Sequence, residues 1–397
     1  MYLITHNKKE CSGCSACEMA CPKNCIHMEK DQEGFLYPKI DQENCINCGL
    51  CEKSCPFNLK PKKQKSTFLS GYARNEDVHK KGSSGSFFYN LAKRILQEDG
   101  YVFGVIIDNN LIVKHISIHD EKLLDKMCKS KYVQSNIGNS FKSVKKLLDS
   151  GKKVMFVGTP CQVNGLKMYL KKEYDQLLLV DFACHGVASQ DMFTKLIKNE
   201  EETKRISISD FIFRNQSQWN NHPHNFKYTY TKNNHAKEKK GSYFSFPYYY
   251  AYKTYNFFRP SCYDCKYNSK YRVSDITLSD FWKGQKYYKN IKIKNGVSLI
   301  AINSKKGEEY INAIKEQYHI KTHENIKDSE ISGWKEKIFK DDTKRNFLFK
   351  EFARMDIDAF RKKYLKPSLV EKFKILFPYC VPLFVINLKN KLLKNVR

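Results

Sequence analysis

The stretch Cys11-Ser-Gly-Cys14-Ser-Ala-Cys17-Glu-Met-Ala-Cys21-Pro22 decides the fold of the first part of this chain. It returns as Cys45-Ile-Asn-Cys48-Gly-Leu-Cys51-Glu-Lys-Ser-Cys55-Pro56, with every cysteine 34 residues after its counterpart. An internal repeat of closely spaced thiols is typical of metal or redox work in a reducing compartment.

The spacing of each copy predicts an iron–sulfur cluster. Three thiolates lie on a tight loop around one 4Fe–4S cluster, and the fourth, ahead of proline, reaches the other cluster. The predicted ligands are Cys11, Cys14, Cys17 and Cys55 for cluster one, and Cys45, Cys48, Cys51 and Cys21 for cluster two. A zinc site is the alternative, and it would use fewer, pairwise cysteines. We expect residues 1–60 to form an α+β module of the bacterial ferredoxin type, in which Cys25 packs as a small buried residue.

The cysteine content also bears on the cellular compartment. The chain has 397 residues and 15 cysteines, and its first ten residues contain no apolar run that would indicate a signal peptide. Because free thiols persist in reducing compartments, we expect a cytoplasmic protein.

The net charge of +28 lies mostly outside the predicted ferredoxin module, and residues 361–397 are strongly basic. A basic surface attracts nucleic acid, an anionic membrane, an acidic partner or a phosphorylated substrate, and a simple Lys-rich solvated surface is the alternative. We expect no nucleic acid partner, because no recognition motif accompanies the charge. The apolar run at 375–388 is interrupted by Pro378 and Pro382 and is too short to span a bilayer. Packing against the main domain is favoured for this run, with peripheral membrane contact through the basic tail as the alternative.

The rest of the chain alternates helix and strand patterns, which favours a larger α/β domain with a mixed sheet. We expect a linker at 61–70, this domain at 71–335 and a basic tail at 336–397. The predicted helices are 86–98, 121–129, 141–148, 163–172 and 190–198, and the predicted strands are 101–107, 111–118, 154–157 and 177–182. The aromatic stretch at 243–258 indicates a strand or core lining, or else a wall that shields a cofactor.

Four further cysteines stand out by their context. Cys161 follows a predicted strand at the start of a helix, where the helix dipole would favour a thiolate. Cys184 follows the next strand, so parallel strands would bring both residues to one sheet edge. Cys262 and Cys265 form a chelating pair that needs two more ligands. A third 4Fe–4S cluster, a two-plus-two zinc site and a reactive thiol are the three interpretations.

Several segments around these cysteines resemble one known family. They are 82–86 (Gly-Ser-Ser-Gly-Ser), 130–135 (Ser-Lys-Tyr-Val-Gln-Ser), 158–163 (Gly-Thr-Pro-Cys-Gln-Val), 184–187 (Cys-His-Gly-Val), 259–265 (Arg-Pro-Ser-Cys-Tyr-Asp-Cys) and 274–282 (Ser-Asp-Ile-Thr-Leu-Ser-Asp-Phe-Trp). Together they resemble the coenzyme F420 hydrogenase/dehydrogenase beta subunits, in the family's order, across roughly residues 1–310.

The resemblance implies a flavoprotein with a bound FAD beside a third 4Fe–4S cluster. The implied ligands of that cluster are Cys161, Cys184, Cys262 and Cys265. The implied pyrophosphate loop is Gly82, Ser83, Ser84, Gly85 and Ser86, since a loop that opens a helix suits an anion. Lys131, Tyr132 and Gln134 would line the flavin, with Lys131 placing positive charge near its reduced, anionic form.

We expect an FAD- and iron–sulfur-dependent oxidoreductase that passes electrons between its clusters, FAD and a two-electron acceptor. The resemblance implies coenzyme F420 or another organic acceptor, with a role in surface polysaccharide synthesis among the family-level analogies. His185 is the candidate proton donor, because imidazole titrates near neutral pH. The partner would be a redox protein or a small-molecule acceptor. The alternative is a non-catalytic electron-transfer subunit that feeds a partner enzyme.

Overall fold

The structure is a computed structural model that describes residues 1–59, 65–215, 225–282, 284–288, 295–324, 326 and 342–368. Within these ranges a small N-terminal α+β module precedes a larger domain that is built on a mixed sheet of eight strands. This arrangement confirms the predicted fold class.

The N-terminal module is a two-stranded antiparallel sheet with short helices. Its elements are α1 Tyr2–Thr5, α2 Ala16–Ala20, β1 Ile26–Lys30, β2 Leu36–Ile40 and α3 Leu50–Lys53. The two copies of the cysteine motif also share the same backbone conformation. Gly13 and Ser15 of the first copy have positive φ, as do Asn47 and Gly49 at the matching positions of the second. Each cysteine loop therefore turns twice through the left-handed region before its helix begins.

The larger domain alternates helices and strands along most of its length. Its strands are β3 Thr67–Ala73, β4 Tyr101–Ile107, β5 Val113–Ile118, β6 Val154–Gly158, β7 Leu177–Phe182, β8 Ser207–Ile212, β9 Asn225–Lys232, β10 His235–Ser242, β11 Ile276–Asp280, β12 Ser298–Ile302 and β13 Tyr318–His323. Its helices are α4 Glu76–Lys81, α5 Phe87–Gln97, α6 Leu124–Met127, α7 Ser140–Asp149, α8 Pro160–Leu170, α9 Gln190–Lys204, α10 Pro247–Lys253, α11 Lys305–Ile314, α12 Asp342–Arg354 and α13 Ile357–Tyr364.

The main sheet has the strand order β13-β3-β12-β11-β7-β6-β4-β5. Strands β4, β6, β7 and β11 are parallel, and antiparallel strands flank them on both sides. Strands β8 to β10 form a separate antiparallel sheet. Because β6 and β7 are parallel neighbours, the residues that follow them meet at one sheet edge, as the sequence predicted.

Most of the predicted elements of this domain are confirmed. The strands predicted at 101–107 and 111–118 form the antiparallel pair β4 and β5, and the helices predicted near 86–98, 141–148, 163–172 and 190–198 are α5, α7, α8 and α9. The helix predicted at 121–129 is shorter, because a 3₁₀ turn at Glu121–Leu123 precedes α6 and Cys128 is already extended.

The aromatic stretch at 243–258 is core lining, and the expected strand is wrong. Pro247 begins helix α10, since proline suits the first helical position. Tyr248, Tyr249 and Tyr252 of this helix are buried in a core that they share with Phe193.

The N-terminal module packs into the larger domain and is not separated from it. Cys14, Ala16 and Met19 around α2 belong to one hydrophobic cluster with Phe141 and Leu166 of the larger domain. Burying these apolar side chains together joins the two parts into one body.

Two segments differ from the expected domain layout. Strand β3 begins at Thr67, inside the expected linker, and helices α12 and α13 lie in the expected tail. Helix α12 packs on the N-terminal module, because Arg345 pairs with Glu33 and the rings of Phe349 and Phe35 meet at 6.3 Å.

The basic tail itself is mostly outside the structure. The apolar run at 375–388 lies outside the described residues, and so does the predicted contact of this segment with a membrane. Among the helices that the structure describes, none is long and apolar enough to cross a bilayer.

Candidate functional site

The structure brings together the four thiols predicted for cluster one. Burial raises the pKa of Cys14 to about 12, and the charges of Cys11 and Cys55 act in the same direction. Burial also raises the pKa of Cys17 well above its ordinary value, with Cys14, Cys11 and Cys55 as further causes. The last cysteine of the second copy therefore lies with the first three cysteines of the first copy, which is the crossed arrangement that the spacing predicted.

The thiols predicted for cluster two form a second group nearer the surface. Cys48 is exposed, and burial together with the charges of Glu52 and Cys48 raises the pKa of Cys51. Cys45 and Cys51 pack against a small buried cluster that contains Cys21.

Cys25 also belongs to this second group, which sequence reasoning missed. Its Sγ lies 3.3 Å from Cys21 Sγ, and the neighbouring charges of Cys21 and Cys45 help to raise its pKa. The sequence did offer one signal for this contact, because Cys25 follows the predicted ligand Cys21 by only four residues. The turn after Pro22 is what brings the two thiols together.

The third group consists of the four cysteines of the larger domain. Thr159 caps helix α8 in a capping box with Gln162, and Thr159 Oγ1 lies 3.1 Å from Cys161 Sγ. Cys184 follows β7 at the same sheet edge. Besides burial, the charges of Cys184, Cys265 and Cys161 raise the pKa of Cys262, so all four thiols lie close together.

Burial dominates the protonation of this third group. It raises the pKa of Cys161 to about 11 and that of Cys184 to about 12, and the charges of neighbouring thiols add to the effect. The Thr159 hydroxyl and the Gln162 backbone N–H at the helix start act in the opposite direction and favour the thiolate of Cys161, while burial is the larger effect. A bound metal would have to displace these protons.

Within the part of the chain that the structure describes, no three His, Cys, Asp or Glu side chains close around a single metal ion. A 4Fe–4S cluster needs a wider cage than one ion, because each thiolate binds a different iron of the cube.

Arg259 connects the first group of thiols to the larger domain. Its guanidinium is fully buried and donates to the carbonyl oxygens of Cys11 and Leu36, both at 2.7 Å. Its Nη2 also lies 3.5 Å from Cys11 Sγ, and its Nη1 donates to Gln134 Oε1 at 3.1 Å. The ring of Tyr37 stacks on the guanidinium with 4.2 Å to its centroid.

The structure places Gln134, predicted beside the flavin, at this same junction. Its Nε2 donates to the carbonyl of Ser12 at 2.8 Å, next to cluster-one ligand Cys11. A Cβ at Gly13 would lie 2.7 Å from Arg259 and 2.9 Å from Gln134, so the glycine is required for this close approach.

The loop predicted to hold the pyrophosphate, 82–86, is packed against the sheet. The Gly85 N–H donates to Ser298 Oγ at 2.8 Å, and a Cβ at Gly85 would lie 2.1 Å from the Gly71 carbonyl oxygen. Ser84 also bonds Ser298, and Ser86 donates to the carbonyl of Val78. Part of the donor set expected for a phosphate is thus engaged within the protein.

Ser83 is the member of this loop that faces the other predicted flavin segment. Its Oγ lies 3.1 Å from Ser130 Oγ, and its carbonyl accepts from Arg214 Nη2 at 2.7 Å. Arg214 is buried and pairs with Asp280 at 2.5 Å. The loop and the segment 130–135 therefore adjoin, with a buried cation beside them.

Lys131 and Tyr132 contribute buried charge and an aromatic wall next to this loop. Burial lowers the pKa of Lys131 to about 7, while its ammonium donates to the carbonyls of Lys126 and Cys128. The Tyr132 ring lies 4.7 Å from that of Tyr252. His185, the predicted proton donor, is half-buried directly after Cys184.

Two family models match this chain. Residues 10–59 match a 4Fe-4S dicluster domain, and residues 151–328 match the family described as the C terminus of the beta subunit of coenzyme F420 hydrogenase/dehydrogenase. These matches confirm the resemblance for those two segments: a 4Fe-4S dicluster domain precedes a segment that matches this oxidoreductase family.

A comparison with curated proteins gave no match. Among solved structures, the chain is similar to one from the F420-reducing [NiFe] hydrogenase complex of Methanosarcina barkeri. The identity is 14% and the TM-score 0.42, over 77% of this chain and 94% of that chain. A likeness at this level supports no conclusion about function.

Proposed function

We propose that this chain is an FAD-dependent iron–sulfur oxidoreductase in which electrons pass between three 4Fe–4S clusters, FAD and a two-electron acceptor. The observation that carries the proposal is the order of the three thiol groups from surface to interior. Cys48 of the second group is exposed, whereas Cys14 of the first group is buried and feels the charge of Cys161 in the third group. Electrons would enter at the exposed group and move inward.

A third cluster at Cys161, Cys184, Cys262 and Cys265 is the part of this proposal that joins the dicluster domain to the sheet edge. Four thiols that interact with one another match the ligand number of a 4Fe–4S cluster. Thr159 and Arg272 supply polar and cationic groups beside them, since both favour the charged form of a neighbouring thiol. The alternatives are a two-plus-two zinc site and a reactive thiol. An iron count distinguishes both of them from a third cluster.

The residues around Ser83 suit an anionic cofactor by their charge. Arg214, which contacts Ser83, is buried, Lys131 and Lys253 are half-buried cations, and burial lowers the pKa of Lys253 to about 8. Ser83, Lys131 and Tyr132 would hold FAD here, and Tyr132 with its aromatic neighbours would keep water out. When bound, the flavin would exchange single electrons with the clusters and a pair with the acceptor.

The acceptor and the partner follow from the family match and the exposed thiol group. We take coenzyme F420 or a related organic acceptor as the first candidate, because the matched family model carries that name. His185 would supply a proton beside the third group. Ile46 is an exposed apolar residue on the loop of the second group and fits the docking of a redox partner. A role in surface polysaccharide synthesis stays a prediction from the resemblance.

The test is the cofactor content of protein purified without oxygen. We expect about twelve iron atoms and one FAD per chain, which corresponds to three clusters of four irons. Cys265→Ser should lose about four irons because one ligand of the third group is removed. Cys128→Ser is the matched control, since Cys128 is buried outside the three groups, and it should keep the full iron content.

Two outcomes would overturn the proposal. About eight irons with no flavin would leave a dicluster protein that feeds electrons to a separate enzyme, so the non-catalytic subunit would become the better explanation. Zinc bound by the third thiol group instead of four irons would also overturn it, because zinc carries no electrons and the path to the sheet edge would be lost.

A further inference from the structure

The ligand loops of the first and third thiol groups meet through one aromatic pair. Phe57 follows Cys55 by two residues, and its backbone N–H faces the sulfur of Cys55. Tyr267 follows Cys265 by two residues, and its N–H faces the sulfur of Cys265 in the same way. The two rings meet edge to face with 5.7 Å between their centroids. The side chain of Tyr267 therefore lies where the two groups adjoin.

The hydroxyl of Tyr267 is buried without a hydrogen-bond partner among the described residues. The residue is 8% exposed, and its ring lines a cavity of about 520 Å³ together with Phe57 and Tyr271. The hydroxyl oxygen is closed off from solvent, so it does not open into that cavity. Because an unsatisfied buried hydroxyl destabilises the fold, its position calls for an acceptor.

Thiols of both groups act on this phenol through their charge. Its electrostatic neighbours are Cys14 and Cys55 of the first group and Cys161 and Cys265 of the third. A phenol is a protonated donor at neutral pH, and cluster sulfides and thiolates are negatively charged acceptors. Hydrogen bonds to these sulfurs are among the means by which a protein sets the reduction potential of an iron–sulfur cluster.

We propose that Tyr267 donates a hydrogen bond to a sulfur of the cluster at the first or the third thiol group and raises the reduction potential of that cluster. The hydrogen bond strengthens when the cluster gains an electron, because the sulfur then carries more negative charge. Tyr267 thereby stabilises the reduced state of the cluster at the junction between the two groups. The inference rests on the proposed function where it concerns the third group, and on the dicluster domain alone where it concerns the first.

The test is a redox titration of the Tyr267→Phe protein, purified with its clusters and followed by electron paramagnetic resonance. We expect the ratio of reduced to oxidised cluster at a fixed potential to fall about tenfold for one of the two flanking clusters, which is about 59 mV for one electron. Cluster two should not change, because its thiols are not among the neighbours of this phenol.

Tyr288→Phe is the matched control. It also removes a buried hydroxyl, but that hydroxyl bonds Ser70 Oγ at 2.9 Å and no thiol influences its pKa. All clusters should titrate as in the wild type.

Three results would overturn the inference: no shift in Tyr267→Phe, a shift at cluster two, or an equal shift in Tyr288→Phe. Loss of iron in Tyr267→Phe but not in Tyr288→Phe would also overturn it. The hydroxyl would then be needed to keep the cluster bound and not to set its reduction potential. A wild-type iron content near eight refutes the third cluster independently, and the titration of cluster one still decides the role of Tyr267.

Discussion

Replacing Arg259 by alanine should separate the first thiol group from the larger domain. The buried guanidinium donates to the carbonyls of Cys11 and Leu36 and to Gln134, and it approaches Cys11 Sγ. Its removal leaves two partly buried carbonyls without this donor. Because these partners are neutral, the cost is that of two unsatisfied acceptors, about 1–3 kcal/mol each. For a chain of this size, with an unfolding entropy of about 2.1 cal/mol/K per residue, the midpoint of thermal unfolding should fall by roughly 2–7 °C.

The loss should also be local, and iron analysis makes it visible. Because the Cys11 loop would lose its anchor, Arg259→Ala should bind about four fewer irons than the wild type, all of them from cluster one. Arg259→Lys should give an intermediate result, since a lysine ammonium reaches one carbonyl but lacks the planar fork of arginine.

Arg345→Ala is the matched control for this experiment. Arg345 also joins the N-terminal module to the rest of the chain, through Glu33 and the Phe258 carbonyl, but its guanidinium lies 6.0 Å from the Tyr263 ring on the third-group loop rather than against the Cys11 loop. It should lower the unfolding temperature while keeping the iron content. The reasoning fails if Arg259→Ala retains cluster one, or if both variants lose iron equally.

Three further outcomes are expected. Cys21→Ser should lower the iron content by about four atoms while Cys25→Ser leaves it unchanged; the reverse pattern would make Cys25 the ligand. At a helix position without close neighbours, replacing Gly by Ala stabilises the helix by about 1 kcal/mol. At Gly165, however, the added Cβ would lie 2.9 Å from Cys14 Sγ. We therefore expect lower thermal stability and loss of cluster one, and a more stable, fully loaded protein would contradict this. The folded pKa of Lys131, about 7, lies below its unfolded value of about 10.4. The unfolded chain thus binds the extra proton between these values, and stability rises with pH across that window. Lys131→Met should make the free energy of unfolding in urea less dependent on pH across this window, and an unchanged dependence on pH would contradict the lowered pKa of Lys131.

The cluster ligands of the N-terminal module were predictable because their information is local. Spacing within each copy sets the loops, and the proline after Cys21 and Cys55 marks the ligand that crosses to the other cluster. The adjacency of Cys161 and Cys184 was predictable for a different reason. Alternating strands and helices indicate parallel strands, and parallel neighbours deliver their following residues to one edge.

Contacts between distant segments were not predictable from these patterns. Arg259 lies 248 residues from Cys11, and its role depends on a sheet edge and a cysteine loop packing together. Gln134 belongs to a segment that resembles a flavin lining, yet its side chain bonds Ser12 of the N-terminal module. Helix α12 lies in the stretch expected to be a basic tail, yet Arg345 on this helix is 4% exposed. Such positions follow from tertiary packing, which one-dimensional periodicity does not encode.

In the proposed function, the burial of the first and third thiol groups would make the neighbouring cations part of electron transfer. Reduction adds negative charge, and an apolar environment disfavours that charge, so a buried cluster is harder to reduce than an exposed one. Electrons would then stay at the surface unless positive groups offset the burial. Arg259 meets this need at Cys11 Sγ. Arg272 meets it at the third group, where it favours the charged form of Cys184 and lies 3.6 Å from the buried Asp181. Arg272 must therefore divide its field between a carboxylate and the cluster, which leaves a neutral donor such as Tyr267 to favour the reduced state without adding a buried charge.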